Sequence, residues 1–157
     1  MKQKFLIIIG IVVLLLVSYF YLYPKLVQPP KPTEYQNVVI TLERTPCFGT
    51  CPDYKLTING DGRVVYEGEG FVKITGTQTT QLSQDKIKQL VDEFYRIDYF
   101  SLKDEYTAGI TDLPTTITSI TIDGKTKKVV NYYGAPKKLD ELENKIDEIT
   151  NSKNWVW

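Results

Sequence analysis

No histidine occurs anywhere in the 157-residue chain, and that absence removes several chemistries together. Ser-His-Asp and Cys-His arrangements lose their base, and histidine-bearing metal sites lose their ligand. Methionine occurs once and cysteine twice, so soft metal ligands are equally scarce. Net charge is also missing, with 19 basic residues against 19 acidic ones. Setting aside Lys2 and Lys4 leaves 17 against 19, with no excess to hold a phosphate backbone. Nucleic-acid binding is therefore disfavoured. The turn "NGDG" at 59–62 lacks the further acidic ligands of a calcium loop, and "GDGRVVYEGEG" leads into no helix that would cradle a phosphate. No cofactor is expected.

What the chain does have is an uncharged apolar run, "FLIIIGIVVLLLVSYFYLY", at residues 5–23. As a helix it would measure roughly 28 Å, against a hydrocarbon core of about 30 Å. Tyr19, Tyr21 and Tyr23 stand where an aromatic belt would meet headgroups. Bulky aromatics replace the small residues of a cleavage site, which favours a retained anchor over a cleaved signal. The expectation is a signal anchor over 1–23, with the amino terminus cytoplasmic and the body extracytoplasmic in the cell envelope, its partners the membrane and an unidentified envelope protein or ligand. Residues 24–36 carry Pro24, Pro29, Pro30 and Pro32 and read as a proline-rich stalk.

From residue 37 to 157 the texture is that of one domain. "NVVITLER" and "DYKLTI" alternate with period two, "NGDG" is a hairpin turn, and "RVVYEG" and "FVKITGTQTTQL" continue a four-strand meander. Ser83 caps a helix in which Ile87, Leu90, Val91, Phe94 and Ile97 share a face. A second hairpin turns at Asp123-Gly124. A last helix opens at Pro136 and buries Leu139, Leu142, Ile146 and Ile149, with Lys137, Asp140, Glu143 and Lys145 among its solvated residues. The fold expected is α+β, an antiparallel sheet in the order ββββ-α-ββ-α, with two helices on one side and a transmembrane helix in front. In an extended terminal "NWVW", Trp155 and Trp157 would point the same way.

Chemistry concentrates in "ERTPCFGTCPDYKL", residues 43–56. Residues four apart in an extended strand lie about 13 Å apart, so a Cys47–Cys51 disulfide requires the chain to curl. Pro46 and Gly49 are residues that permit such a turn. A structural clamp is the leading reading; a redox pair, a two-thiolate metal grip and two free buried thiols are the alternatives. The acids Asp98, Asp104, Glu105 and Asp112 read as surface charges and turn caps rather than as a catalytic pair.

"CFGTCPDYKLTINGDGRVVYEG", "YTAGITDLPTT" and "GAPKKLDELENKID" together resemble a bacterial family known only as a domain of unknown function. The resemblance covers residues 37–157 and marks Cys47, Phe48, Gly49, Cys51, Pro52 and Tyr54 as a family element, without implying an activity. The reading is a non-catalytic binding or structural module braced by the cysteine pair, with thiol-disulfide or metal handling as the alternative. Phe48 and Thr50 on the loop, and Trp157 at the C-terminal end, form the candidate partner surface.

Overall fold

The structure is a computed structural model, and it describes residues 8–19 and 28–157. It divides into two compact units, residues 1–30 and 31–157. In the first, residues 8–19 are helical (α1). Among the described residues no helix is long and apolar enough to cross a membrane. That finding overturns the expected transmembrane anchor, and with it the membrane as partner and the single-pass envelope localisation. Positions 5–7 and 20–23 of the expected span, and 24–27 of the expected stalk, lie outside the described residues.

In the second unit seven strands form one sheet: β1 (Val38–Arg44), β2 (Asp53–Asn59), β3 (Arg63–Gly70), β4 (Gly76–Gln81), β5 (Glu105–Tyr106), β6 (Thr116–Ile122) and β7 (Lys125–Asn131). Helices α2 (Gln84–Arg96), α3 (Lys137–Thr150) and α4 (Lys153–Val156) complete it, with a 3-10 turn at Tyr99–Ser101. The spatial order is β4-β3-β2-β1-β6-β7-β5. The expected all-antiparallel sheet with two helices is corrected on three counts. The sheet is mixed, because β5 runs parallel to β7. The additional strand, β5, is only two residues long, too short for any alternation to register. The C-terminal "NWVW" is helical rather than extended, so Trp155 turns in to stack on Tyr66 at 5.1 Å while Trp157 stays exposed.

Alternation fixes which face is covered. On β1, Val38 registers with Ile122, Ile40 with Ile58 and Ile120, and Leu42 with Leu56, and all are buried. Ile87, Leu90, Val91 and Phe94 of α2 and Leu139, Leu142, Ile146 and Ile149 of α3 join them in one core. Ser83 sits at the α2 N-cap position without a side-chain cap bond. At the β6–β7 hairpin, Asp123 and Gly124 both take positive φ, as a primed two-residue turn demands. Gly60 is required for a different reason. A Cβ there would strike the Tyr35 carbonyl, whose chain lies directly over the β2–β3 turn. Lys31 reaches Asp92 on α2 and Tyr35 packs on the core, so the unit begins before its first strand.

The strand ends sort the loops into two groups. Arg44, Tyr54, Gly70, Thr116, Asn131 and Tyr106 meet at one end of the sheet, as their registers show. The β1–β2, β3–β4, β5–β6 and β7–α3 connections therefore share that end.

Candidate functional site

β1 ends at Arg44, whose parity with Leu42 directs its side chain toward the helices instead of the open face. A guanidinium there must find partners. Its Nε donates to the Tyr54 hydroxyl at 3.0 Å and to Asp147 Oδ2 at 3.1 Å. One terminal nitrogen donates to Asp147 Oδ2 at 2.8 Å and the other to Thr116 Oγ1 at 3.2 Å. The Tyr54 hydroxyl in turn donates to Asp147 Oδ1 at 2.7 Å, and the Ser152 hydroxyl to the same oxygen at 2.6 Å. The cluster ties β1, β2, β6 and both ends of the α3–α4 turn together.

Burial opposes the charge on Arg44, but Asp147 and Tyr54 outweigh it and hold the pKa above its ordinary value. Burial and the adjacent Asp147 carboxylate push the Tyr54 hydroxyl well up, so it stays a proton donor at any physiological pH. One turn back on α3, Glu143 is 3% exposed, and the Asn131 amide donates to both its oxygens at 3.2 and 3.0 Å. Burial pushes its carboxyl up to about 7. Glu143 is thus not part of the solvated helix face on which its sequence position suggested it would lie.

Above this cluster the chain passes through Thr45, whose N–H donates to the Thr115 carbonyl at 2.9 Å and continues the β1–β6 ladder. It then curls. Cys47 and Cys51 are joined in a disulfide, with Cα atoms 5.5 Å apart. The Gly49 N–H donates to the Cys47 carbonyl at 2.8 Å, which closes a γ-turn with Phe48 at its centre. Phe48 is driven outward and is 90% exposed; Gly49 and Thr50 are exposed beside it. A Cβ on Gly49 would meet Cys47 Sγ at an ordinary 3.7 Å, so the turn does not demand glycine. Closing so small a ring stabilises by about 2 kcal/mol at most on the chain-entropy account. Replacing both cysteines by serine is therefore expected to cost about 2 kcal/mol or less in a urea titration. A larger loss would show that the bond also holds the packing beneath it.

Beyond Cys51, Pro52 and Tyr54 form one wall of a cleft of about 220 Å³. Arg44, Asn144, Asp147, Lys153, Val156 and Trp157 form the remainder, the last 69% exposed. A second cleft of about 210 Å³ is lined by Glu43, Asp53, Tyr54, Lys55 and Glu69. The structure brings Pro52, Tyr54 and Trp157 to the lining of one cleft, while Phe48 and Thr50 are exposed on the adjoining loop. Sequence reasoning missed Arg44, Asp147 and Ser152. The thiol alternative loses its usual support, because the cysteines lie between two strands and not at a helix N-terminus. Among the described residues no group of three or more Cys, Asp or Glu is placed to hold a metal ion. Asp104 is paired with Lys127, and Asp98 and Asp112 occupy left-handed turn positions.

The family described as "Domain of unknown function (DUF6438)" matches residues 38–150, which includes the disulfide loop, the Arg44–Tyr54–Asp147 cluster and Glu143. None of the curated proteins matches the sequence.

Proposed function

The chain belongs to the DUF6438 family, and from that premise we propose that the domain is a non-catalytic binding module that recognises another protein through the loop end of its sheet. One observation carries this reading. Within residues 31–157 the exposed large hydrophobic residues are Phe48, Phe71, Ile110, Leu113, Tyr133 and Trp157. Phe48 lies on the β1–β2 loop, Phe71 on β3–β4, Ile110 and Leu113 on β5–β6, and Tyr133 between β7 and α3. Trp157 follows Val156, whose carbonyl accepts from the Lys73 N–H of the β3–β4 loop. All six therefore gather at the same end. The opposite end, with the turns at Gly60–Gly62 and Asp123–Gly124, has none. Water-exposed apolar groups concentrated on loops above a rigid support are a common form of protein recognition surface.

The buried cluster supports the reading mechanically. Arg44, Tyr54 and Asp147 have used their hydrogen-bonding groups on each other, so they hold the loop bases in place. The disulfide keeps the Phe48 turn from collapsing, and bonds of this kind persist in oxidising compartments. A photo-crosslinking residue placed at position 48 or 157 of the full chain is expected to capture a protein partner, whereas one at 61 or 124 captures none. Phe48→Ser should abolish capture from position 157 without changing the thermal transition. Equal capture from both ends, or capture from 61 and 124 alone, would sink the proposal.

A further inference from the structure

The cleft bounded by Pro52 and Trp157 has an uneven supply of hydrogen-bonding groups. Its one acidic side chain, Asp147, is saturated: Oδ1 accepts from Tyr54 and Ser152, and Oδ2 accepts twice from Arg44. A carboxylate offers about four lone-pair sites, so none remains for a ligand. The Tyr54 hydroxyl has given its proton to Asp147 and accepts from Arg44. The Asn144 side-chain carbonyl accepts from Arg44 at 3.4 Å, which leaves its NH2 group to donate elsewhere. Lys153 lines the same cleft and makes no ion pair among the described residues, since Glu148 on α3 is held by Lys145. What the cleft still has to offer is therefore donors.

Charge points the same way. Arg44 and Lys153 against Asp147 leave one positive charge in the lining, and Arg44 is already paired with Asp147 at 2.8 Å. The uncancelled cation is Lys153, which is exposed. One positive charge matches a monoanion, whereas a phosphate group carries about −1.5 to −2 at neutral pH and would be only partly neutralised. Pro52, Val156 and Trp157 make the rest of the wall apolar. At about 220 Å³ the cleft falls below the roughly 300–1,000 Å³ of small-molecule sites, so it holds a side chain and not a cofactor.

We infer that this cleft takes the carboxylate of an acidic side chain in a partner protein, with an apolar neighbour of that residue set against Trp157. The inference rests on the loop end being a protein-recognition surface, and it names what that surface selects. Lys153 supplies the charge and Asn144 a neutral donor. Pro52 and Trp157 supply the apolar contact. Arg44 is a positioning residue, spent on Asp147, Tyr54 and Asn144.

Matched blocked peptides test this. Acetyl-Leu-Glu-Leu-amide is titrated into the isotope-labelled full chain while the indole N–H signals of Trp155 and Trp157 are followed, with Trp157→Phe identifying the second. The Trp157 signal is expected to shift saturably, and that of Trp155, stacked on Tyr66, to stay in place. The glutamine counterpart should bind about fivefold more weakly. Lys153→Met should lose the same factor with an unchanged thermal transition, and Lys153→Arg should keep the affinity. Lys153→Glu should reverse the preference toward the lysine counterpart. Equal affinity for the glutamate and glutamine peptides, full affinity in Lys153→Met, or no saturable shift overturns the inference. Tighter binding of inorganic phosphate than of the glutamate peptide overturns it too. Crosslinking from position 48 separates the two readings. Capture there with no preference between peptides leaves the recognition surface standing and removes the carboxylate site. Selective peptide binding with no capture from 48 or 157 supports the carboxylate site and removes the protein-recognition reading.

Discussion

Replacing Asp147 by alanine is expected to destabilise the domain by about 3–5 kcal/mol, the largest effect of any single substitution at this site. The cost comes from what is left behind. Arg44 would keep its charge in a place where its side chain is 24% exposed, having lost the carboxylate that accepts two of its hydrogen bonds. Tyr54 and Ser152 would lose their common acceptor at the same step. A solvent-exposed ion pair would lose at most about 1 kcal/mol on the same change, so the experiment separates the two descriptions cleanly. Tyr54→Phe, which removes one hydroxyl and leaves the ion pair, should cost about 1–2 kcal/mol. Urea titrations at pH 7 with unchanged m-values provide the measurement, and a loss below about 1 kcal/mol for Asp147→Ala would show the cluster to be a screened surface pair.

Part of this cluster was legible before any coordinates. Val38, Ile40 and Leu42 alternate toward the core, and continuing the count places Arg44 on the buried face, where an unpaired guanidinium is not tolerated. On α3, Leu139, Leu142, Ile146 and Ile149 mark an arc, and positions 143 and 147 fall within it at helical spacing. The acids there were readable as buried, yet the surrounding lysines and glutamates made that stretch look uniformly solvated. What could not be read was the pairing. Arg44 and Thr116 are neighbours across β1 and β6, and Arg44 and Asp147 meet across 103 positions. No local pattern specifies either contact. β5 was hidden because two residues cannot display a period, and the four-residue α4 because one turn is too short to show amphipathic spacing.

The disulfide differs from both cases. Its two residues are near in sequence, so the requirement for a curled backbone followed from spacing alone. That Phe48 would be the outermost residue required the γ-turn, which no residue of the loop specifies by its type. The membrane expectation rested on hydropathy over residues 5–23, and among the described residues no helix is long and apolar enough to cross a bilayer.

Glu143 supplies a prediction that can be read as a pH profile. Its carboxyl titrates near 7 in the folded protein against an ordinary 4.5, because burial disfavours the ionised form more than Asn131 and Arg44 favour it. Below about pH 4.5 the group is protonated in both states. Between about 4.5 and 7 only the folded state holds the proton, so stability falls as pH rises, by about 1.4 kcal/mol per unit and about 3 kcal/mol across the window. Above 7 the loss is complete. Glu143→Gln should flatten that slope, leaving stability near that of the parent at pH 4.5 and raising it by about 1–3 kcal/mol at pH 8. The acid limb is separate. Lys127 holds Asp104 and Lys145 holds Glu148 below the ordinary carboxylate range, so their contributions are lost only as pH falls further. Denaturant titrations of both proteins from pH 4.5 to 8 decide the matter: a parent whose stability is level across that range, or a glutamine variant with no advantage at pH 8, would place the Glu143 carboxyl in water.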